Sequence, residues 1–592
     1  MKDRLIRRMA LLALCLLSAC AAGNAPGFAA AVDPSPAALG RAYGDFLIGG
    51  FAAGQMDFRR AARALEAALA VTPQDATLRR EAFLAALDAG LPGATRLART
   101  LPHEEIAQLL LADEEVAAGR FGLAVQRFAA MPDGGIAAML KPILLGWAQA
   151  GAGQVDAALA TLEPFVRGQR FRGIYALHAA LIADLAGRKR QAGKFYHLAA
   201  TSFGAGNLRL AQILASWQAR SGRLAEARQT LAAIARQGHG IRLVLPALER
   251  NPAPLAIRNP ADGIAEAYLA LAASFHARHA DLVALPLLQL ALRLRPDLTA
   301  ARLVLAEVVD TGNHPNRALA ALAPVGAADP LAPLVDLRRA LLLQAAGRPA
   351  EAVALLKTLA AAQPSAPEPE VTLGDVLRQS KHFHAAAAAY GAALARTPAG
   401  APDRWLLHYY RGIAYDLGGD WTRAEADFKT ALKLSPDQPY VLNYLGYSWA
   451  VKGRHLGRAT AMIARAMKAV PNDGAVVDSM GYVLLRRGDR AGALHFLERA
   501  VHLMPGDATI NGHLGDAYWA SGEHLQAIYQ WRRALTLDPS AKERARLLGR
   551  LAHGLPASFI IAPSPPAPAQ TAPTAPAPPA APEKGPAKQS TP

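Results

Sequence analysis

Small and apolar residues recur along this chain in the spacing of packed helices. Leu442–Ala450 (LNYLGYSWA) and Val477–Leu485 (VDSMGYVLL) both place Gly-Tyr after an apolar residue, and Gly446 and Gly481 stand 35 residues apart. A small residue on the apolar face of a helix lets a second helix approach closely. The echo therefore predicts two equivalent helices in neighbouring repeats, with the two glycines at packing positions.

Prolines and alanines measure the same period over the second half of the chain. Prolines stand at 296, 330, 364, 398, 436, 471, 505 and 539, at steps of 34, 34, 34, 38, 35, 34 and 34. Twelve residues before each lies an alanine (284, 318, 352, 386, 424, 459, 493 and 527), and an apolar residue follows four later, as in Tyr390, Phe428, Ile463, Leu497 and Trp531. Since proline ends a helix and small residues allow close packing, this pattern predicts a repeated helix–turn–helix.

The first half keeps the period less regularly. Similar units are anchored at Ala61, Ala124, Ala158, Ala192 and Ala227, with apolar Phe128, Leu162, Tyr196 and Leu231 four residues after the last four, and Ala94 is a candidate for a degenerate unit. From Ala227 to Ala284 the step is 57, across four prolines in residues 238–262. This stretch is predicted to be an irregular joint between two blocks, with room for a helix or hairpin outside the repeat pattern.

The period of 34 resembles the tetratricopeptide repeat (TPR). The clearest copy is Trp405–Gln438, with signature residues Gly412, Tyr415, Ala424, Phe428, Ala431 and Pro436, which return as Gly515, Tyr518, Ala527, Trp531, Ala534 and Pro539. The resemblance implies an all-α fold, a TPR solenoid of roughly 12–13 two-helix units in two blocks.

The expected organisation follows from these patterns. A signal peptide over 1–19 and a flexible linker over 20–40 precede an N-terminal block of degenerate repeats over 41–237, the joint over 238–262 and a C-terminal block over 263–539. Ser540-Ala-Lys-Glu543 is a capping box that opens a terminal capping helix over 540–555. A Pro/Ala-rich tail over 556–592 cannot bury a core and is expected to be disordered, either as a spacer or in contact with the cell wall.

Composition and charge narrow the choice of partner. The net charge is +17 and the pI is about 10.0, which invites a nucleic-acid interpretation, but the basic residues are scattered among acids and no run of five like charges occurs. Nucleic acid is therefore not an expected partner, whereas attraction to other anionic surfaces stays open. The two cysteines, Cys15 and Cys20, both precede the repeats, so a disulfide framework in the body is excluded.

The first residues have the character of an export signal. Lys2, Arg4, Arg7 and Arg8 precede the short apolar run Met9–Leu17, and Leu17-Ser-Ala-Cys20 resembles the lipobox of bacterial lipoproteins. That resemblance implies lipidation of Cys20, and Ala21 after it implies export to the outer membrane, facing the periplasm. The alternative is ordinary cleavage after an A-x-A site, which Phe28–Ala31 offers.

No motif in the sequence predicts catalytic chemistry. Gly446–Ala450 lacks the final glycine of a nucleophile elbow and lies in a repeat helix, and His103-Glu-Glu lacks the second histidine of a zinc-protease motif. His276 and His279 have no acidic partner that the sequence pattern identifies. No catalytic residue, cofactor or metal site is therefore expected, and the chain is predicted not to be an enzyme.

The TPR resemblance also implies where a partner binds, because the first helix of each unit lines a concave groove. The groove-facing positions of the C-terminal units hold Tyr409, Asp416, Tyr440, Asn443, Tyr447, Asp478, Tyr482, Asp516 and Trp519. Aromatic side chains with amides and acids suit recognition of a folded protein surface or an extended segment. The alternative is that several of them, the tyrosines above all, only pack between repeats. A carboxylate clamp is not expected, because the position that needs Asn holds Ile413, Tyr447, Tyr482 and Asp516.

The C-terminal repeats, with the lipobox, resemble a narrower family. The run LNYLGYSWA, DGAVVDSMGYVLLRRGD and HLGDAYWASGEHLQAIYQWRRAL is similar to that of long proteobacterial outer-membrane TPR lipoproteins. One group of these is the adaptor of a periplasmic carboxyl-terminal processing protease and presents peptidoglycan hydrolases to it. The resemblance implies a non-catalytic scaffold for envelope proteins. The alternative is direct binding of an envelope polymer, peptidoglycan or exopolysaccharide.

Overall fold

A computed structural model describes residues 34–168, 171–202, 207–235, 240–250 and 255–561. Across these residues the chain forms 30 α-helices and no strand, which confirms the all-α prediction. The signal peptide, Cys20 and most of the predicted linker lie outside the described residues, as does the tail from residue 562 onward.

The chain divides into two compact units. The first comprises the described parts of Met1–Gln237 and Ala247–Asp329, and the second those of Gly238–Pro246 and Pro330–Pro592. This division differs from the predicted joint at 238–262, because the helices that follow that joint pack with the N-terminal repeats.

The helices of the first unit form consecutive antiparallel pairs, and we call the first helix of each pair A and the second B. In chain order the pairs are α1 (Pro36–Gly54) with α2 (Phe58–Val71), α3 (Ala76–Asp88) with α4 (Gly93–Ala98), α5 (Glu105–Ala117) with α6 (Phe121–Ala130), α7 (Ala137–Gly151) with α8 (Val155–Arg167), α9 (Arg172–Leu185) with α10 (Lys189–Ser202), and α11 (Leu208–Arg220) with α12 (Leu224–Ala235). After α13 (Ile241–Arg250), which spans the division, come α14 (Pro260–His276) with α15 (Asp281–Leu294), and α16 (Thr299–Asp310) with α17 (Pro315–Leu322).

The second unit repeats the same pairing more regularly. Its pairs are α18 (Ala332–Ala345) with α19 (Pro349–Ala362), α20 (Glu368–Gln379) with α21 (Phe383–Arg396), α22 (Arg404–Leu417) with α23 (Trp421–Leu434), α24 (Pro439–Val451) with α25 (Leu456–Ala469), α26 (Gly474–Arg486) with α27 (Arg490–Leu503), and α28 (Ala508–Ala520) with α29 (His524–Thr536). A terminal helix, α30 (Ala541–His553), begins at the N-cap Ser540, and a 3₁₀ turn spans Ala557–Phe559.

One recurring contact holds helices A and B together in the second unit. A glycine of A faces a large, fully buried side chain of B: Gly374 faces Tyr390, Gly412 Phe428, Gly446 Ile463, Gly481 Leu497 and Gly515 Trp531. A Cβ on any of these glycines would lie 2.5–2.9 Å from its partner side chain. The helices therefore approach to a distance that only glycine permits, as the sequence pattern predicts for Gly446 and Gly481.

In the first unit the A helices are covered by a helical pair from the same chain. Helix α14 packs on α7 and α9, and α15 packs on α3 and α5. Gly263 of α14 lies against Trp147, so close that a Cβ would be 2.2 Å from the indole ring. The hydroxyl of Tyr268 donates to the buried Asp113 carboxylate at 3.0 Å, and Arg293 donates to Glu114 at 2.9 Å.

A buried ion pair fixes the same face. The Arg209 guanidinium donates to Glu266 at 2.8–3.1 Å, and Glu266 is 3 % exposed. Burial on its own would raise the pKa of Glu266, but the charge and hydrogen bonds of Arg209, together with the charge of Arg295, outweigh it and hold the pKa below its usual value. The surface of the A helices α3, α5, α7 and α9 is thus filled by apolar and charged contacts with α14 and α15.

The contact between helices A and B can be tested at Gly481. Replacing it with Ala places a methyl group 2.5 Å from the Leu497 side chain, and we expect a loss of about 2 kcal/mol in the free energy of unfolding by urea. Gly457 is the control, because it lies in helix α25 and a Cβ added there would have no neighbouring atom within 4 Å. Gly457→Ala should stabilise the protein by about 0.5 kcal/mol through lower entropy of the unfolded chain. Equal effects at the two sites would contradict this packing.

Candidate binding face of the second unit

Two of the groove residues predicted from the sequence lie in an aromatic cluster on α22 and α24. Tyr409 makes an edge contact with Tyr444, with ring centroids 6.0 Å apart, and the hydroxyl of Tyr444 donates to Asp416 at 3.2 Å. Lys452 donates to the same carboxylate at 3.4 Å. Burial, with Tyr410 beside it, raises the pKa of Tyr409 to about 12, so its hydroxyl stays protonated at neutral pH. Tyr444 was not among the residues predicted from the sequence.

A second cluster joins α24, α26 and α28. The ring centroid of Tyr482 lies 5.1 Å from that of Tyr447 and 4.6 Å from that of His513. His513 Nδ1 lies 2.9 Å from Asp478 Oδ1, and both side chains are buried. Asp478 is therefore already engaged by a residue of the next repeat, in accord with the packing alternative.

Tyr440 and Asn443, both on α24, differ from these residues because they offer unused binding capacity. The Tyr440 side chain is 50 % exposed. The Asn443 Oδ1 atom is shielded from solvent and accepts no hydrogen bond from any described residue. An acceptor in that state is costly, and a partner can donate to it once the Asn443 side chain turns outward.

Asp516 and Trp519 hold the end of the solenoid. The fully buried carboxylate of Asp516 accepts from Trp531 Nε1 at 3.0 Å, Arg546 at 2.7 Å and Arg550 at 3.0 Å. Arg546 and Arg550 belong to α30, so this carboxylate fastens the terminal helix to the last repeat. Trp519 stacks on His524 with ring centroids 4.1 Å apart and also contacts Gly554 beyond α30.

The first residues of the predicted tail have a defined structure. Beyond α30, residues 557–561 fold back onto the A helices, where the Phe559 ring meets Tyr482 edge-on at 5.7 Å. The guanidinium groups of Arg486 and Arg550 lie 4.9 and 5.4 Å from the centre of the Phe559 ring. The sequence feature that could have indicated this contact is Phe559-Ile560-Ile561, a run of large apolar residues between the capping helix and the Pro/Ala-rich stretch.

Neither a metal-binding cluster nor a membrane-spanning helix occurs in the described ranges. They hold no group of three or more His, Cys, Asp or Glu side chains arranged to bind a metal ion. His276 does have acidic neighbours, since its Nδ1 lies 2.6 Å from Asp281 and its Nε2 3.8 Å from Glu307, but the three side chains are not arranged to hold a metal ion. Among the helices of these ranges, none combines the length and the apolar character needed to cross a bilayer.

Part of the second unit matches a known repeat family. Residues 371–439, 418–473 and 479–542 match the family model of the tetratricopeptide repeat, which confirms TPRs in the second unit. A helical-repeat protein of the TPR type has a fold that is generally non-catalytic and serves as a scaffold for protein binding.

Particular proteins are similar to parts of this chain. The TPR repeat-containing protein PA4667 of Pseudomonas aeruginosa is 33 % identical over 115 residues, which is 19 % of each chain, so the match spans about a fifth of that relative. Among solved structures, the APC/C hetero-tetramer Cut9–Hcn1 aligns with 87 % of this chain and 97 % of its own at 15 % identity and a TM-score of 0.35. Yeast Tom70 aligns with 87 % of this chain and 95 % of its own at 11 % identity and a TM-score of 0.29. At these TM-scores neither structure bears on what this chain binds.

The role of Asp516 in closing the solenoid can be tested by removing its charge. Asp516→Asn leaves two arginines of α30 without their buried carboxylate, and we expect the free energy of unfolding to fall by about 3 kcal/mol. The matched control is Asp416→Asn, whose partners Tyr444 and Lys452 lie nearer solvent, and which should cost at most about 1 kcal/mol. Urea denaturation of the full chain measures both. A smaller loss at Asp516 than at Asp416 would contradict the assignment.

Proposed function

We propose that this chain is a non-catalytic scaffold of the bacterial envelope that binds protein partners on the A-helix face of its second unit. The observation that carries the proposal is the state of Tyr440 and Asn443 on α24. One presents half of an aromatic side chain to solvent, and the other holds an unsatisfied acceptor. In the first unit the surface of α3, α5, α7 and α9 is covered by α14 and α15, which leaves the A helices of the second unit more accessible to a partner than these four.

The chemistry of the face supports a protein as the partner. Tyr409, Tyr444 and Tyr447 supply large, rigid contact areas with hydroxyl tips, and the nearby Asn443 and Lys452 supply polar contacts. Tyrosine and tryptophan with a few polar groups is the composition of protein-recognition surfaces. The ligand is a folded surface or an extended segment read by ring contacts and hydrogen bonds.

The envelope location is supported by the lipobox at Leu17–Cys20 and by the resemblance to proteobacterial outer-membrane TPR lipoproteins. In this proposal, lipid on Cys20 holds the chain at the outer membrane, facing the periplasm. The finer role would be that of the resembled adaptors, which bring cell-wall hydrolases to a periplasmic protease.

Capture from native envelope extracts tests the binding face. The full chain should recover a stoichiometric protein partner after mild crosslinking, and the double variant Tyr440→Ala with Asn443→Ala should reduce that recovery at least tenfold. Tyr529→Ala is the matched control, because Tyr529 is 61 % exposed but lies on the B helix α29. Equal recovery by the double variant and the control would contradict the proposed face.

The alternative partner is an envelope polymer, and the net charge of +17 favours binding to an anionic polymer. A sedimentation experiment distinguishes this alternative from protein binding. Purified sacculi, free of protein, should not sediment the chain if the partner is a protein. Salt-sensitive sedimentation with sacculi, together with no protein partner in the capture, would favour the polymer instead.

The anchor is tested separately by Cys20→Ala in the native host. The wild-type chain should fractionate with outer membranes, and the variant should appear in the soluble periplasmic fraction, because it lacks the thiol that carries the lipid. Continued membrane association of the variant, or a mature N-terminus after Ala31, would contradict lipidation at Cys20.

A further inference from the structure

The segment after the capping helix binds the A-helix face as a peptide ligand would. It leaves α30 at Gly554, passes Tyr482 with Phe559, and reaches the turn after α26 with Ile561. There the backbone N–H of Ile561 donates to the carbonyl oxygen of Arg486 at 2.8 Å. That carbonyl belongs to the last turn of α26, where helix geometry leaves it without a partner of its own.

The isoleucine side chains of the segment lie against two A–B turns that contain a left-handed glycine. Gly453 follows α24 and Gly488 follows α26, both in the left-handed region at φ of +67° and +85°. A Cβ on Gly453 would lie 2.6 Å from Ile561 Cδ1, and one on Gly488 would lie 3.4 Å from Ile560 Cγ2. The missing side chain at Gly453 thus leaves the space that Ile561 occupies, whereas Ile560 lies within ordinary van der Waals reach of the turn at Gly488.

The same turn recurs in neighbouring repeats without an occupant. Gly419 after α22 and Gly522 after α28 have φ of +85° and +90°, and no described atom lies within 4 Å of a Cβ built on either. The A–B turns of the second unit therefore repeat one left-handed glycine position, which is open at Gly419 and Gly522 and contacted by the segment at Gly453 and Gly488. A peptide in extended conformation can use such a series of turns, since alternate contacts along it meet successive repeats.

The contacts of the segment are few enough for exchange. Phe559, Ile560 and Ile561 are each only partly buried, and one backbone hydrogen bond ties them to the repeats. Phe559 is stabilised by its edge contact with Tyr482 and by the guanidinium groups of Arg486 and Arg550. An aromatic residue of another chain could make the same contacts. Regions held by so few buried contacts open more readily than the repeats beneath them.

We propose that residues 557–561 are an internal ligand for a peptide-binding site made by Tyr482, Arg486, Arg550, the hollow at Gly453 and the turn at Gly488. A protein partner with an exposed aromatic residue followed by two β-branched aliphatic residues displaces the segment and binds in its place. This inference rests on the proposed function, since it names the class of partner segment and a competitor built into the chain.

Binding of a labelled synthetic peptide to the full chain tests the site. The peptide carries residues 555–562 (LPASFIIA), and fluorescence anisotropy measures its affinity. Phe559→Ala vacates the site, so we expect this variant to bind the peptide at least tenfold more tightly than the wild-type chain. Ile561→Asp gives a second vacated form with the same expected gain. A peptide in which Phe is replaced by Ala should bind neither variant.

Two matched variants locate the peptide in the hollow at Gly453. Added to Phe559→Ala, Gly453→Leu fills the hollow and should abolish the gain in affinity. Gly419→Leu imposes comparable backbone strain at an empty turn and should leave the gain intact. Equal peptide affinity in the wild-type chain and both vacated variants, or equal effects of the two leucines, would overturn the proposal.

Failure of this inference can be told apart from failure of the proposed function. If an envelope protein is captured through Tyr440 and Asn443 but its recovery is unchanged in Phe559→Ala, the internal ligand is refuted and the scaffold function stands. If the vacated variants bind the peptide while envelope extracts yield no protein partner, the site stands and the scaffold function is refuted.

Discussion

The close contact of helix A with helix B, glycine against a large buried side chain, is the constraint on which the second unit depends. Gly412 against Phe428 and Gly515 against Trp531 show it with the largest partners. Because this contact places the bulky side chain of B between the helices, the two helices of each repeat form one unit that stacks on the next. The opposite side of each A helix takes no part in that contact and can carry other residues.

The two units use that side of their A helices differently. In the first unit it receives α14 and α15, with Gly263 on Trp147 and an ion pair between Arg209 and Glu266 buried beneath. In the second unit it carries tyrosines and an unsatisfied amide on α24, and the chain's own Phe559 packs on Tyr482 of α26. A surface that one unit needs for stability is thereby available for binding in the other.

The repeats were predictable from sequence because they rest on local periodicity: Ala424, Phe428 and Pro436 recur with their neighbours at a fixed spacing. Long-range pairing was not predictable in this way. Helix α15 carries the same repeat signal, Ala284, as its neighbours, so nothing in the pattern shows that it packs on α3 and α5. Asp516 was predicted as a groove residue because its position fits, but its partners Arg546 and Arg550 lie on a helix outside the repeat pattern. Phe559 was missed because the proline-rich composition that follows it dominates that end of the chain.

Hydrogen–deuterium exchange of the full chain, with and without a captured protein partner, would locate the surface that the partner covers. Binding should slow exchange along α22, α24 and α26 and in the adjoining A–B turns, with no change in the A helices α3, α5, α7 and α9 of the first unit. Protection confined to the first unit, or to the B helices of the second, would contradict a binding face on the A helices of the second unit.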